Sequence, residues 1–336
     1  MNDLNNIKAL LDKPAETVII THQKPDGDAM GSMLSFYHLL TRKGHNVTPI
    51  SPTEYGHYLQ WMPGQENIVD YQENPEKALQ KLELAELIVC VDFNNPKRTN
   101  GLQEYLIKAN GTKLVIDHHT NPEPFYDHII CEPEFCATAE LIYQIIDNLW
   151  GNEVIDHIIA TCLYTGIVTD SGSFRFSNVT PSTHKIAAYL IGKSIDHAAI
   201  HRNLFENTPA RKLKFFGHCL TNRLEIIPEC KTAFIYVTME DKKQYDVQTG
   251  ETEGLVNYPL SIEGIVFAAL FKEQRGIIKI SFRSIGKFPA NEFAAKHFEG
   301  GGHHNASGGR SHENLNETLK NFRKTINEYK DELEKA

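Results

Sequence analysis

Three apolar stretches in the first half of the chain decide its fold: Thr17-Val-Ile-Ile-Thr-His22, Leu87-Ile-Val-Cys-Val-Asp92 and Lys113-Leu-Val-Ile-Asp117. Each is a short run of β-prone residues that ends in a polar side chain. Continuous apolar runs of this length are typical of strands that are buried on both faces of a parallel sheet. In such sheets ligands bind beyond the carboxyl ends of the strands, which is where the final polar residue of each run lies.

Helical patterns separate and follow these runs. They extend from Asp28 to Lys43, from Ala137 to Trp150, and from about Asn152 to Thr169. Strands that alternate with helices indicate an α/β fold with a doubly wound, mostly parallel sheet. We therefore predict that residues 1–200 form one such domain.

The second half of the chain changes pattern twice. Residues 201–223 are helical in pattern and basic, which predicts a helical linker; alternatively, the charges only line a solvated helix face. Short strands return from residue 224, and a terminal helical stripe runs from Leu315 to Leu333. Residues 224–336 are therefore predicted to form a second, smaller α/β domain.

Composition excludes several classes of protein. The 336 residues are 41% apolar and 23% charged, which suits a globular chain of two domains. The six cysteines form no CxxC pair, so neither a disulfide framework nor a cysteine zinc site is indicated. Neither a signal peptide nor an apolar run long enough to span a membrane is evident, which predicts a cytoplasmic protein. The net charge of −9 offers no general attraction for a polyanion.

The first polar cluster is His22-Gln-Lys-Pro-Asp26-Gly-Asp28. Pro25 and Gly27 favour a tight turn, so the two carboxylates and the imidazole can point into one cavity. This arrangement suggests metal ligation. The alternative is a helix cap, in which Asp28 accepts hydrogen bonds from the amides of the first turn.

Three further polar positions follow apolar runs. Asp92 ends the second run, where a lone aspartate can also simply begin a turn. Asp117-His118-His119 ends the third run, and adjacent imidazoles there suggest a metal ligand with one histidine left for substrate. Asp170 interrupts an apolar helical stretch, so it either needs a cation nearby or lies exposed at a frayed helix end.

Six of these positions, all except Asp117 and His119, supply four carboxylates and two imidazoles, and carboxylates converge only if cations neutralise them. Two divalent cations would balance the charge. Mixed histidine and carboxylate donors favour manganese, iron or cobalt over magnesium, and zinc is not excluded. A pair of metal ions is a common device for phosphoester hydrolysis. The proposed metal ligands are His22, Asp26, Asp28, Asp92, His118 and Asp170.

The four segments, in this order, resemble the motifs of the DHH phosphoesterase superfamily. The later stretch Phe298-Glu-Gly-Gly-Gly-His-His-Asn-Ala-Ser-Gly308 is similar to the glycine-rich signature of the DHH-associated substrate domain. Ser281-Phe-Arg-Ser284 resembles the strand that presents its substrate-binding arginine. Glu299 departs from the pattern, because the signature usually begins with glycine at that position.

The resemblance also implies roles for individual residues. It assigns His22, Asp26 and Asp92 to a first metal, with Asp92 bridging to the second. It implies that His119 faces the scissile phosphate and that Asp117 orients a histidine. The second metal would take Asp28, Asp92, His118 and Asp170. The implied catalytic residues are Asp117, His118 and His119, and the implied substrate-binding residues are Arg283, Ser284, Gly300, Gly301, Gly302, His303, Ala306 and Ser307.

The length and two-domain layout most resemble the nanoRNase and pAp phosphatase subgroup. This resemblance implies hydrolysis of very short RNA, two to five nucleotides long, to 5′-mononucleotides, and of 3′-phosphoadenosine 5′-phosphate (pAp) to AMP and phosphate. A phosphodiesterase for linear dinucleotides derived from cyclic dinucleotides is the alternative. A catalytically silent nucleotide-binding module would need a broken ligand set, and Arg283 with the glycine signature disfavours an inorganic pyrophosphatase. The sequence indicates no obligate protein partner and predicts no oligomeric state.

Overall fold

The computed structural model describes residues 2–248 and 250–336. They form two compact units, Met1–Asn207 and Thr208–Ala336, which we call the first and second units. Each unit contains its own six-stranded sheet. Residues 201–223 are divided between the two units, and the domain boundaries drawn from the sequence remain a prediction.

The sheet of the first unit is parallel and has the strand order β3-β2-β1-β4-β5-β6. Its strands are β1 Glu16–Ile20, β2 Asn46–Ser51, β3 Val69–Asp70, β4 Leu87–Val91, β5 Thr112–Asp117 and β6 His128–Cys131. The three apolar runs are confirmed as neighbouring strands β1, β4 and β5. The direction of winding reverses between β1 and β4, and this switch point is where an open α/β sheet binds ligands.

Helices cover both faces of this sheet. They are α1 Asn2–Asp12, α2 Gly27–Arg42, α3 Pro75–Leu84, α4 Gln103–Lys108, α5 Thr138–Trp150, α6 His157–Asp170, α7 Pro181–Ile191 and α8 His197–His201. Along β4, Val89 packs with residues of α2, α5 and α6, whereas Ile88 and Cys90 pack with residues of α3 and α4. Alternate strand residues thus enter two cores, which confirms the doubly wound α/β fold.

The third predicted helix begins later than its sequence pattern indicates. Residues Asn152–Val154 form a separate 3₁₀ turn, and α6 starts at His157. The carboxylate of Asp156 accepts hydrogen bonds from the backbone N–H groups of Ile158 and Ile159. Asp156 is therefore the N-cap, and α6 begins at the next residue because the N-cap itself lies outside helical geometry.

The second unit has a mixed sheet with the strand order β11-β12-β10-β9-β8-β7, in which β8 and β9 are parallel and the other pairs are antiparallel. Its strands are β7 Leu224–Ile227, β8 Thr232–Val237, β9 Phe267–Gln274, β10 Ile277–Ser284, β11 Gly301–His303 and β12 Ala306–Ser311. Its helices are α9 Ala210–Asn222, α10 Met239–Gln244, α11 Asn257–Leu260, α12 Ala290–His297, α13 Leu315–Asn327 and α14 Lys330–Glu334. Among the described residues, no helix has both the length and the apolar character needed to cross a membrane.

Phenylalanines dominate the core of the second unit. Phe267 of β9 lies centrally, with its ring 5.1 Å from that of Phe293 and 5.7 Å from that of Phe282. The stripe of α13 packs on the same core. The terminal helix is not continuous, however: α13 ends at Asn327, and Leu333 enters the core from the separate helix α14. On the opposite face, α9 buries Phe215, so much of the basic segment is an amphipathic helix of this unit.

Candidate metal centre

The predicted metal ligands of the first unit converge at the switch point of its sheet. His22 follows β1, Asp92 follows β4, and His118 follows β5. Asp28 lies in the first turn of α2, and Asp170 ends α6. Side-chain donor atoms come within 4.8 Å of one another in overlapping groups that could hold metal ions, and these groups are His22–Asp26–Asp92, Asp28–His118–Asp170 and Asp92–His118–His119.

Asp92 occupies the centre of this cluster. Its Oδ2 lies 3.3 Å from His22 Nε2, and its Oδ1 lies 3.7 Å from His118 Nε2. The residue is 2% exposed and has a φ of +63°, a left-handed backbone that is unfavourable for a non-glycine residue. Thr138 Oγ1 donates to Oδ1 at 2.9 Å. Burial opposes ionisation of Asp92, but the surrounding histidines outweigh it and hold the pKa of this carboxyl well below its usual range.

Asp26 and Asp28 have different environments. Asp26 is the exposed N-cap of α2 and accepts hydrogen bonds from the N–H groups of Asp28 and Ala29, both at 3.1 Å. Asp28 is buried and accepts from the N–H groups of Thr138 and Ala139 at the start of α5. The capping interpretation that we considered for Asp28 therefore applies to Asp26. Burial and the neighbouring carboxylate of Asp92 raise the pKa of Asp28 well above its usual value.

The two histidines present the same nitrogen to the carboxylates. His22 Nδ1 lies 2.8 Å from the carbonyl oxygen of Gln23, and His118 Nδ1 lies 3.1 Å from that of Phe135. A carbonyl oxygen only accepts, so each Nδ1 donates and each neutral ring has its lone pair on Nε2. His22 Nε2 is buried and makes no hydrogen bond to any residue that the structure describes. A lone pair on a buried nitrogen beside two carboxylates fits a divalent cation.

Asp170 meets the predicted requirement for a nearby partner. Its Oδ2 lies 3.3 Å from His118 Nε2, and its side chain is 35% exposed. Desolvation is the largest influence on this carboxyl and raises its pKa to about 7, although His118 opposes the shift. The cluster therefore holds carboxyl groups that resist ionisation until positive charge is supplied.

The raised pKa values predict that cation binding releases protons. Neighbouring carboxylates raise the pKa values of His22 and His118, although burial opposes this shift. Burial raises the pKa values of Asp28 and Asp170. Each of these groups keeps its proton to a higher pH than usual, so a cation competes with protons and binds more tightly as pH rises. We expect Mn²⁺ affinity to increase between about pH 6 and pH 8. Calorimetry in two buffers with different ionisation enthalpies measures the release, and an affinity independent of pH would contradict the prediction.

His119 lies beside Asp92, with its Nδ1 3.8 Å from Asp92 Oδ1, and it also contacts two residues outside the proposed ligand set. Its Nδ1 lies 2.7 Å from Oδ1 of Asp117, which is fully buried. Its Nε2 lies 3.0 Å from Nη1 of Arg98, in the 3₁₀ helix Pro96–Leu102. The implied catalytic roles of Asp117, His118 and His119 remain predictions, although the contact between Asp117 and His119 has the geometry that orientation requires.

Sequence reasoning missed two residues of this site. Thr138 binds the central carboxylate through its hydroxyl, and its position at the start of a predicted helix was a usable signal. Arg98 gave no comparable signal, because it lies in a polar loop beyond β4 with other charged and turn-forming residues.

Helices α2 and α6 approach closely beneath the cluster because glycines lie at their crossing. A Cβ atom on Gly166 would meet Ala139 Cβ and lie 2.7 Å from Asp28 Oδ1. A Cβ atom on Gly31 would meet the backbone carbonyl of Cys162. Neither residue has a positive φ, so the requirement for glycine comes from space and not from backbone conformation.

We expect Gly166→Ala to destabilise the protein by about 1–3 kcal/mol, because the added methyl group overpacks this crossing. It should also weaken Mn²⁺ binding, since the methyl group presses on Asp28. Gly217→Ala is the matched control: Gly217 lies within α9 with nothing within 4 Å of its added Cβ. This control should be neutral or stabilise by up to about 1 kcal/mol. Denaturant unfolding measures the stability of both variants. Equal stabilities would contradict the close approach of α2 and α6.

The implied substrate residues lie in the second unit. Arg283 on β10 pairs with Ala306 on β12, and its Nη1 donates to the carbonyl oxygen of Phe282 at 2.9 Å. Burial lowers the pKa of Arg283. The glycine signature is not an irregular loop, because Gly301–His303 forms β11 at the exposed edge of the sheet. An edge strand presents backbone N–H groups to a ligand.

Two of the implied substrate residues use their hydroxyl groups within the fold. Ser284 Oγ donates to the carbonyl oxygen of Phe288, and Ser307 Oγ donates to that of Ala290, both at 2.7 Å. Gly300 and Gly302 have little room for side chains, because Cβ atoms there would meet the backbone of β12. Substrate binding by any of these residues remains a prediction.

The structure accommodates Glu299 at the position where the signature usually has glycine. Its φ is +44°, a left-handed conformation that glycine adopts at little cost. Its carboxylate accepts a hydrogen bond from Arg310 Nε at 3.1 Å. Glu299 therefore keeps the backbone conformation that glycine would adopt there, and its side chain forms an ion pair with Arg310 on the surface.

Comparison with known proteins agrees with this arrangement. The model of the DHH family N-terminal domain matches residues 16–167, and the DHHA1 domain matches residues 231–332. A Thermus thermophilus relative, named bifunctional oligoribonuclease and PAP phosphatase NrnA, is 30% identical over 294 residues, which cover 86% of this chain and 82% of the relative. A Bacillus subtilis relative, named cyclic-di-AMP phosphodiesterase GdpP, is 25% identical over 96% of this chain but only 49% of its own length.

A solved structure matches the whole chain. It is a Bacteroides fragilis protein described as exopolyphosphatase-related, with a TM-score of 0.95 and 35% identity over 99% of this chain and 98% of its own. The match to the DHH domain includes every proposed metal ligand except Asp170, which lies just beyond its last residue. The chain therefore belongs to the DHH family of phosphoesterases, together with its oligoribonuclease and PAP phosphatase relatives.

Proposed function

We propose that the chain hydrolyses very short RNA to 5′-mononucleotides and pAp to AMP and phosphate, using two Mn²⁺ ions. The observation that carries this proposal is the cluster of three overlapping donor groups, two of which contain Asp92. The name of the Thermus thermophilus relative supports the choice of substrates. A cytoplasmic location remains a prediction.

Six side chains would hold the cations. His22, Asp26 and Asp92 would form one set of ligands. Asp28, His118 and Asp170 would form the other, joined by Asp92 as the family resemblance implies, since Asp92 Oδ1 lies 3.7 Å from His118 Nε2. Two imidazoles among the donors favour Mn²⁺ over Mg²⁺, which prefers oxygen ligands alone. When bound, such cations polarise phosphoryl oxygens and lower the pKa of water.

Both substrates undergo the same bond change. Water adds to phosphorus, the bond from phosphorus to a ribose 3′-oxygen breaks, and the 3′-oxygen leaves with a proton. In a dinucleotide this oxygen belongs to the first nucleotide, and in pAp it belongs to adenosine. His119 lies against the reacting phosphoryl group in this proposal, with its Nδ1–H held by Asp117. Because Asp117 holds Nδ1–H and Arg98 donates to Nε2, the neutral ring would orient the phosphoryl group by contact and not by donating a proton.

Residues of the second unit would bind the phosphate that does not react. The Arg283 guanidinium is partly buried and donates to the carbonyl oxygen of Phe282. Among the residues that the structure describes, it forms no ion pair with a carboxylate, so its charge could bind a phosphate. The N–H groups of β11 and His303 would add donors to the same phosphate. A 5′-phosphate is common to pAp and to 5′-phosphorylated dinucleotides, so the same residues of the second unit could bind either substrate.

A phosphodiesterase for linear dinucleotides is the second candidate. The GdpP relative gives it weak support, because its name concerns a cyclic dinucleotide, although the similarity extends over 96% of this chain. Its sequence identity of 25% is lower than the 30% of the Thermus thermophilus relative, and the chain spans only about half of the GdpP protein. A linear dinucleotide is also a short 5′-phosphorylated substrate, so the same residues would serve it.

Product analysis on 5′-labelled RNAs of graded length tests the proposal, with pAp, a linear adenosine dinucleotide and pyrophosphate assayed alongside. We expect a dinucleotide to be turned over at least about tenfold faster per chain end than a 24-nucleotide RNA, because a net charge of −9 gives little attraction for a long polyanion. Equal turnover of the two RNAs would instead indicate a processive exonuclease. Hydrolysis of pyrophosphate alone would reject the nucleotide assignment.

A further inference from the structure

Arg98 connects the loops that follow three strands of the first unit. It lies in the 3₁₀ helix Pro96–Leu102, which Asn95 caps by accepting a hydrogen bond from the N–H of Lys97. Its backbone carbonyl oxygen accepts from the N–H of Gln23, next to His22, at 2.7 Å. The main chain of Arg98 is thus held in place by contacts that do not involve its side chain.

One nitrogen of the guanidinium makes two contacts at the metal centre. Nη1 lies 3.3 Å from the backbone carbonyl oxygen of Asp92 and 3.0 Å from Nε2 of His119. A guanidinium has donors and no acceptor, so His119 Nε2 must accept. The proton of the neutral imidazole is then on Nδ1, where it is donated to Asp117 Oδ1 at 2.7 Å. The ring of His119 is therefore held at both nitrogens.

The contacts of Arg98 are unusual for an arginine in a cluster of carboxylates. Within the described part of the chain, its side-chain hydrogen bonds go to a carbonyl oxygen and an imidazole and not to a carboxylate. A structural ion pair would use a carboxylate, which binds a guanidinium through two oxygens. The observed pairing instead defines which nitrogen of His119 carries the proton.

We propose that Arg98 is a positioning residue that fixes the orientation and tautomer of His119. This inference rests on the proposed function for its effect on catalysis, but its structural content does not depend on it. Arg98 acts through His119, because its guanidinium occupies Nε2 while Asp117 holds Nδ1. Partners that orient functional histidines typically affect activity by about 10–100-fold.

Double-mutant kinetics on pAp and a 5′-phosphorylated dinucleotide test the proposal. Arg98→Ala should lower kcat by about 10–100-fold with a smaller change in KM. In the His119→Ala background the same substitution should change kcat by no more than about threefold, because its target is gone. Lys97→Ala is the matched control, since Lys97 is the exposed neighbour that pairs with Glu123. Equal losses from Arg98→Ala in both backgrounds would overturn the proposal.

Nuclear magnetic resonance supplies a readout that is independent of activity. Two-bond ¹H–¹⁵N spectra of the Mg²⁺-loaded protein should show His119 with its proton on Nδ1, and His119→Gln identifies the signal. In Arg98→Ala the two ring nitrogens should move toward averaged shifts, while Lys97→Ala leaves them in place. An unchanged His119 spectrum in Arg98→Ala would also overturn the proposal. If the wild type hydrolyses neither substrate, the proposed function fails while this spectrum still tests the positioning role.

Discussion

Asp92→Asn lowers kcat/KM for pAp and for a dinucleotide by at least about 1000-fold, equivalent to about 4 kcal/mol of transition-state stabilisation. Asp92 belongs to two of the three donor groups, and its two oxygens lie near His22 and His118. Asparagine keeps the shape and can still accept from Thr138, so we expect the fold to survive. The loss of one negative charge should reduce the number of Mn²⁺ ions bound, which calorimetry measures beside the kinetics.

Glu123→Gln is the control for this prediction. Glu123 lies in the neighbouring loop and pairs with Lys97 on the surface, so this variant also removes a negative charge but leaves the ligand set intact. We expect less than about a threefold change in kcat/KM, because exposed ion pairs contribute little. A fully active Asp92→Asn enzyme that still binds two Mn²⁺ ions would contradict the role of Asp92 as the shared ligand.

Arg283→Ala should reduce kcat/KM for 5′-phosphorylated substrates by about 10–150-fold, which corresponds to a charge-assisted hydrogen bond of roughly 1.5–3 kcal/mol. The phosphate that it would bind does not react, so the contact is equally strong in the ground state and the transition state. Loss of such a contact appears mainly in KM. His303→Ala should act in the same direction.

A 5′-hydroxyl dinucleotide and a second arginine complete the test of Arg283. The wild type should use the 5′-hydroxyl substrate poorly, and Arg283→Ala should lower that residual activity little further. Arg275→Ala removes an exposed arginine from the turn between β9 and β10 and should leave KM unchanged. If Arg283→Ala impairs 5′-hydroxyl and 5′-phosphate substrates equally, Arg283 does not bind the terminal phosphate.

The strands and the convergence of the candidate metal ligands could be predicted because each depends on local pattern. Runs such as Leu87–Val91 are apolar throughout, which only a strand covered on both faces explains. Parallel strands place their carboxyl ends at one edge, so Asp92 and His118 had to lie near one another. Helical periodicity likewise located α2 and α5 to within a residue or two.

What the sequence did not reveal depends on contacts between distant segments. The exchange of roles between Asp26 and Asp28 follows from α5, whose first N–H groups bind Asp28 from 110 residues away. The pairing of Arg98 with His119 joins two loops that no spacing rule connects. The break between α13 and α14 was hidden because the apolar stripe continues across it.

Anomalous diffraction at the manganese edge, from crystals of the chain grown with Mn²⁺, tests the two-metal centre most directly. We expect two peaks, one beside His22 and Asp26 and the other beside Asp28, His118 and Asp170, with Asp92 as a ligand of both. A single peak, or two peaks that do not share Asp92, would contradict the metal centre proposed for this chain.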